Sequence, residues 1–257
     1  MSNRVVRRYG GTAVSGSLRS ASVGVLAAAF VAVLPPGPLA AQVGHDPTTS
    51  PFRDVNTRQS VVLLGGHWFG NKSEAGVGAQ AGPMAGIKLR TALSGPLDLI
   101  ISSVYVQSQR NTINTLLPDS TRNGGPIDYN MIITDLSLGL TLTGAKTWHG
   151  LAPYLSAGFG FVIPTNDVVD PGGFHAGSGF TFTPAFGIRM KLSNTFGLQF
   201  EGADHTIRYE WPPTYFFPKD ATGTAITPPV LDPAKSKNTQ VTHNFTLSLG
   251  LSYNFNF

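Results

Sequence analysis

Six histidines are the first candidates for chemistry in this sequence: His45, His67, His149, His175, His205 and His243. Imidazole can act as a general base or a metal ligand near neutral pH, but either role needs partners close by. None of the six stands in an HExxH pattern or another close ligand pair. His205 and His243, with Asp204 beside the first, come nearest to a hydrolytic or metal constellation. Alternation in their segments sets His205 with the polar residues and His243 with the apolar ones, so they are expected on opposite faces of two strands. Cysteine is absent, which removes thiolate catalysis, Cys-ligated metals, disulfides and an N-terminal lipidated Cys. The glycine-rich stretch 76–82 lacks the Lys-Ser or Lys-Thr and the strand–turn–helix context of a phosphate loop. The glycine pairs at 172–173 and 124–125 read as loop turns. The expectation is a protein that is not an enzyme, with no catalytic residue, no cofactor and no metal.

The charged residues are more informative. They make up only 12% of the chain, about half the usual share for a soluble domain. Lys88, Arg90, Asp98, Asp135, Arg189, Lys191 and Glu201 all fall on the small, polar side of alternating segments. Charges on such a face must pair if the face is buried. A turn at 93–96 brings Arg90 near Asp98. A turn at 193–195 sets Arg189 near Gln199 and diagonally near Glu201. These seven are therefore expected as interior charges of a salt-bridged core; the functional alternative is a gated pore or proton path.

The segments that would position them alternate with period two, and no segment after Gln42 sustains a helical period. At the end of the chain Phe245, Leu247, Leu249, Leu251, Tyr253, Phe255 and Phe257 alternate with Asn244, Thr246, Ser248, Gly250, Ser252, Asn254 and Asn256. One face is wholly apolar and the other wholly small or polar, over a length suited to crossing a bilayer. Seven earlier segments read the same way, at 58–69, 77–92, 97–109, 128–143, 152–163, 178–192 and 196–211. The third is less clean, because Ile100, Val104 and Val106 oppose Leu97, Leu99 and Ile101. Connections alternate between short (93–96, 144–151, 193–195) and long (71–76, 110–127, 164–177, 212–240). Hairpins would gather the short turns at one end and the long loops at the other. Backbone groups in hydrocarbon must all be satisfied internally, so the strands must close. The predicted fold is all-β: an eight-stranded antiparallel transmembrane β-barrel over 58–257. Two aromatic girdles are expected, with Trp68, Phe69, Tyr105, Tyr129, Tyr209 and Trp211 at the long-loop end. Trp148, Tyr154, Phe196, Tyr253, Phe255 and Phe257 would form the other, at the short-turn end.

Residues 1–41 read as a cleaved signal peptide. Arg4, Arg7, Arg8 and Arg19 precede an apolar run at 23–34, and prolines at 35, 36 and 38 follow it. That run is too short for a spanning helix, which needs roughly 20 residues. Removing those four arginines from 18 basic residues leaves 14, against 14 acidic residues. The positive charge therefore belongs to the leader and gives no sign of nucleic-acid binding. Residues 42–57 are expected to be a periplasmic N-terminal segment.

The ending Tyr253-Asn-Phe-Asn-Phe257, behind alternating hydrophobics, resembles that of the small eight-stranded outer-membrane barrels of the OmpA transmembrane domain, OmpX and OmpW type. The resemblance implies that Tyr253, Phe255 and Phe257 act as the assembly signal read by the barrel-assembly machinery, and that the protein resides in the outer membrane among its lipids. No appended peptidoglycan-binding domain follows Phe257, so no cell-wall tether is expected. Members of this architecture do unrelated jobs. The first functional reading is a structural or surface-interaction role through the long loops, with a surface ligand met by loop 212–240. That loop is either a mobile surface loop or a recognition surface anchored by Tyr215, Phe216 and Phe217. The alternatives are a narrow OmpW-like channel for small or hydrophobic solutes, a lipid-modifying barrel enzyme, and a soluble ligand carrier with the two faces reversed.

Overall fold

The computed structural model describes residues 50–54 and 57–256. The predicted signal peptide, most of the predicted leading segment and Phe257 of the predicted assembly signal lie outside the described residues.

Among the described residues twelve strands form: β1 (Phe52–Asp54), β2 (Gln59–Phe69), β3 (Gly82–Ser94), β4 (Leu97–Val106), β5 (Gln109–Ile113), β6 (Asn123–Asp128), β7 (Met131–Thr141), β8 (Lys146–Trp148), β9 (Leu151–Pro164), β10 (Gly179–Lys191), β11 (Phe196–Glu210) and β12 (Thr239–Phe255). A short helix, α1 (Pro213–Phe216), lies between the last two. Eight of the strands close in the antiparallel order β2-β3-β4-β7-β9-β10-β11-β12-β2. Paired residues can be followed once round the barrel. From Gln59 they lead through Thr91, Leu99, Leu138, Ala157, the Pro184/Asp204 level and Phe245 to Phe69, ten residues further along β2. Such a stagger tilts the strands, and with eight of them it leaves an interior that side chains can fill.

Period-two alternation sets the two faces. Leu63, Ile101, Leu138, Phe159, Phe180, Phe200 and Leu249 point outward and are exposed. Val62, Ser102, Asp135, Thr181, Glu201 and Ser248 point inward and are buried. The outer face is thus an apolar belt and the inner face carries the charge, the orientation expected for a barrel in lipid. Toward the long-loop end the belt gives way to polar pairs on β11 and β12. His243 Nδ1 lies 2.7 Å from Asp204 Oδ2, and Arg208 Nη2 lies 3.1 Å from Glu210 Oε1.

At the short-turn end β3 and β4 join through Gly95, whose φ of +55° suits glycine. The β10–β11 turn is held by Ser193, whose Oγ accepts the N–H groups of Thr195 and Phe196. Here β8 and the short β1 add a flap by pairing Phe52 with Trp148.

Several bounds differ from the sequence reading. Residues 77–81 are loop rather than the start of a strand, because Val77 and Ala79 pack fully buried beneath neighbouring loops. The stretch 110–127 largely folds into a hairpin, β5–β6, paired from Gln109↔Asp128 to Ile113↔Asn123.

Candidate functional site

The lumen is built differently at its two ends. Toward the short turns, Lys88 on β3 pairs with Glu201 on β11 across the interior. Asp98 on β4 receives two arginines: Arg90 Nη1 donates to Oδ1 at 2.9 Å, and Arg189 Nη1 donates to Oδ2 at 2.8 Å. Ser60 accepts from Arg90 Nε at 3.0 Å, and Thr141 Oγ1 accepts from Arg189 Nη1 at 3.2 Å. The Arg90–Asp98 pair follows the hairpin expectation. The Arg189–Glu201 pair does not form. Gln199 stands opposite Arg189 as the register requires, yet Tyr154 occupies the space between Arg189 and Glu201. Its hydroxyl donates to Glu201 Oε2 at 2.5 Å, and the Arg189 guanidinium stacks on its ring at 4.1 Å. The ring fits because Gly187 faces it: a Cβ there would lie 2.5 Å from the phenol carbon and oxygen.

Asp135 is buried and accepts from Thr183 Oγ1 at 2.9 Å and Ser102 Oγ at 3.2 Å. Thr183 also meets His205 Nδ1 at 3.1 Å. Five of the seven predicted interior charges therefore join the ion-pair network, Asp135 is buried on two hydroxyls, and Lys191 stands apart at the short-turn mouth. His205 points into the lumen while His243 points outward to Asp204, so the two histidines share no site. Among the described residues no group of three or more His, Asp or Glu side chains could hold a metal ion.

Toward the long loops the interior is apolar. Leu64, Met84, Val104, Val106, Met131, Ile133, Val162 and Ile207 form one buried cluster. This explains the untidy alternation of β4: Ile101 faces outward, while Val104 and Val106 face an apolar lumen rather than a polar one. Above the cluster the loops fold into a cap. Phe174, Tyr209, Trp211 and Tyr215 stack there, with Tyr209–Trp211 ring centroids 5.9 Å apart and Trp211–Tyr215 6.1 Å apart. At the centre Arg110 of β5 meets Asp170, with Nη1 and Oδ1 2.8 Å apart and both side chains wholly buried. Arg110 also lies over the rings of Tyr129 and Phe174, at 5.8 and 5.4 Å. Asp170 Oδ2 accepts the backbone N–H of Ile113 at 3.1 Å. The last long loop is tied in through Arg122, which donates to the Pro228 carbonyl at 2.7 Å. Burial and the nearby Asp170 push the Tyr215 phenol well above its ordinary pKa, so it remains a proton donor to that carboxylate.

The aromatic girdles form only in part. Trp68, Tyr129, Tyr209 and Trp211 are buried in the lumen or cap, and Tyr154 is buried in the ion-pair network. Phe69, Tyr105, Trp148, Phe196 and Tyr253 do face outward. Strand parity carried the signal for Tyr154 and Tyr209, which fall with Ser156 and Glu201 on the inward sets of β9 and β11. In loop 212–240, Tyr215 and Phe216 are anchored inside the cap and Phe217 is exposed. Sequence reasoning gave no role to Arg110 and Asp170, because their pairing joins two loops and has no periodic mark.

No protein-family model matches the sequence, and no curated protein matches it. Among solved structures the chain is similar to Neisserial surface protein A, at 14% identity and a TM-score of 0.48, covering 77% of this chain and 97% of that one. It is also similar to the outer membrane protein OprG of Pseudomonas aeruginosa, at 10% identity and a TM-score of 0.45, covering 78% and 98%. The N-terminal β-barrel domain of Pseudomonas aeruginosa OprF aligns at 13% identity and a TM-score of 0.42, covering 77% and 98%.

Proposed function

We propose that this chain is an integral outer-membrane β-barrel protein with a closed lumen, acting through its folded outer cap in a structural or surface-interaction role. The observation that carries this reading is the exposed apolar belt around a barrel whose interior is crossed by ion pairs toward the short turns and packed with apolar side chains toward the long loops. An exposed apolar surface of that extent belongs in lipid. Ion pairs that link facing walls, with an apolar cluster and cap beyond them, favour a scaffold over a conducting path. In this reading the short turns face the periplasm and the cap faces the surroundings. Outer-membrane lipid and the barrel-assembly machinery are the first partners, and loop 212–240 contributes Phe217 to the outer surface.

Fractionation of cells expressing the full chain tests the assignment. The protein is expected in the outer membrane, with faster gel mobility unboiled than boiled. A soluble protein without a mobility shift would contradict it. Deleting Phe257 is expected to lower the amount assembled more than the stability of what does assemble; normal outer-membrane levels of the truncated chain would count against that signal.

A further inference from the structure

The short-turn mouth of the barrel contains a cavity of about 100 Å³ whose lining includes Arg90, Asp98, Arg189, Lys191, Asn194 and Asn254. A space of this size exceeds what one water needs. Three cations line it against one carboxylate, a formal excess of two positive charges. Asp98 is already divided between Arg90 and Arg189, one oxygen to each. Lys191 forms no ion pair among the described residues and sits at the rim, where it also borders a second, shallower pocket. Arg189 retains its Nε and Nη2 donors without a partner. These two donors form one edge of the guanidinium, the edge that takes an oxyanion in a bidentate grip. Gathering three cations around one carboxylate in a partly desolvated mouth is unfavourable unless a further anion compensates them. The neutral amides of Asn194 and Asn254 add donors to the wall.

We propose that this mouth is a binding site for a small oxyanion of the phosphate class, gripped by Lys191 and Arg189. Arg189 Nη1 stays on Asp98. The Nε and Nη2 edge is unpartnered and sealed from solvent while the guanidinium stacks on Tyr154; in the proposal the guanidinium turns about its Asp98 contact when the anion binds, and that edge then meets the anion. The phosphate can be a free ion or the headgroup of a lipid at that end of the barrel; the recognising chemistry is the same. This site goes beyond the proposed role and does not depend on it, since binding is measured on the purified protein wherever it resides in the cell.

The test uses the full chain in a phosphate-free sugar detergent. Calorimetric titration with inorganic phosphate is run at ionic strength held constant with chloride, and a parallel titration uses a short-chain phosphatidic acid below its micelle concentration. Three proteins are compared: the parent, Lys191→Gln, and Lys146→Gln, which alters an exposed lysine outside the cavity. Folding of each is checked by the heat-dependent gel shift; Lys191 lies outside the ion-pair network, so its variant is expected to pass. Saturable phosphate binding, weakened at least tenfold in Lys191→Gln and unchanged in Lys146→Gln, supports a free-ion site. The same variant pattern with phosphatidic acid alone supports a headgroup site. Binding of neither ligand, or equal binding by Lys191→Gln and the parent, overturns the proposal.

Discussion

At the short-turn end the lumen is filled by Lys88–Glu201 and by Arg90 and Arg189 on Asp98, whereas at the long-loop end it is filled by Val106, Met131, Ile133 and Val162 beneath a folded cap. The polar end depends on particular partners. Lys88, Glu201, Arg90, Asp98 and Arg189 each have an opposite charge within hydrogen-bond reach, and removing one member leaves the other stranded. The apolar end depends on volume and is expected to lose stability in proportion to the methyl groups removed. The cap combines both in one place: Arg110 and Asp170 are wholly buried, but aromatic rings surround them. A narrow barrel can therefore be closed by charge or by packing, and the two ends should respond differently to the same scale of change.

The largest effect is expected at Asp98. Asp98→Ala strands the buried Arg90 guanidinium and the partly buried one of Arg189, and the loss should be about 3–5 kcal/mol in urea unfolding of the lipid-reconstituted protein. A loss no larger than that of an exposed substitution would show that the ion pairs do not organise that end. Next comes the outer face. Leu249→Arg puts a charge on the exposed belt, and near the bilayer centre this should cost about 2–4 kcal/mol. The reading of the two faces fails if that variant assembles and unfolds like the parent. A smaller loss is expected in the apolar end, where Ile133→Val removes one buried methylene and should cost about 0.5–1.5 kcal/mol. A loss as large as that at Asp98 would erase the contrast between the ends.

The smallest effect is local and depends on pH. Thr222 donates to Asp220, and the backbone N–H of Thr224 does the same, holding that carboxyl below its ordinary pKa. A depressed pKa in the folded turn means stabilisation that is present above the ordinary carboxylate range and is lost as pH falls through the lowered value. Amide exchange at 220–224 should stay slow until the pH drops below that range, with the barrel strands unaffected. Exchange that quickens already at mildly acid pH would contradict the turn.

The barrel was legible because lipid outside and a filled lumen inside impose a strict period of two on eight segments, and that period is visible in β12 from Phe245 to Phe255. The interior location of Lys88, Arg90, Asp98, Asp135, Arg189 and Glu201 was legible for the same reason. Their partners were only half legible. Register joins neighbours such as Arg90 and Asp98, but the Arg189–Asp98 and Lys88–Glu201 pairs cross the lumen, and sequence adjacency does not report distance through a barrel. The aromatic residues misled because ring chemistry alone suits both a headgroup girdle and a packed cap. Parity separates the cases for Tyr154 and Tyr209, but it cannot for Tyr129, which lies between strands. The apolar end was hidden because Val104 and Val106 looked like noise in an otherwise two-faced pattern. The cap was hidden because Arg110 and Asp170 meet only after two loops have folded.

Single-channel recording with the purified full chain in a planar bilayer tests the central claim, a lumen closed at both ends, most directly. Inserted protein is expected to pass no resolvable current. A steady ion current through the unmodified protein would show that the ion pairs and the cap do not seal the barrel.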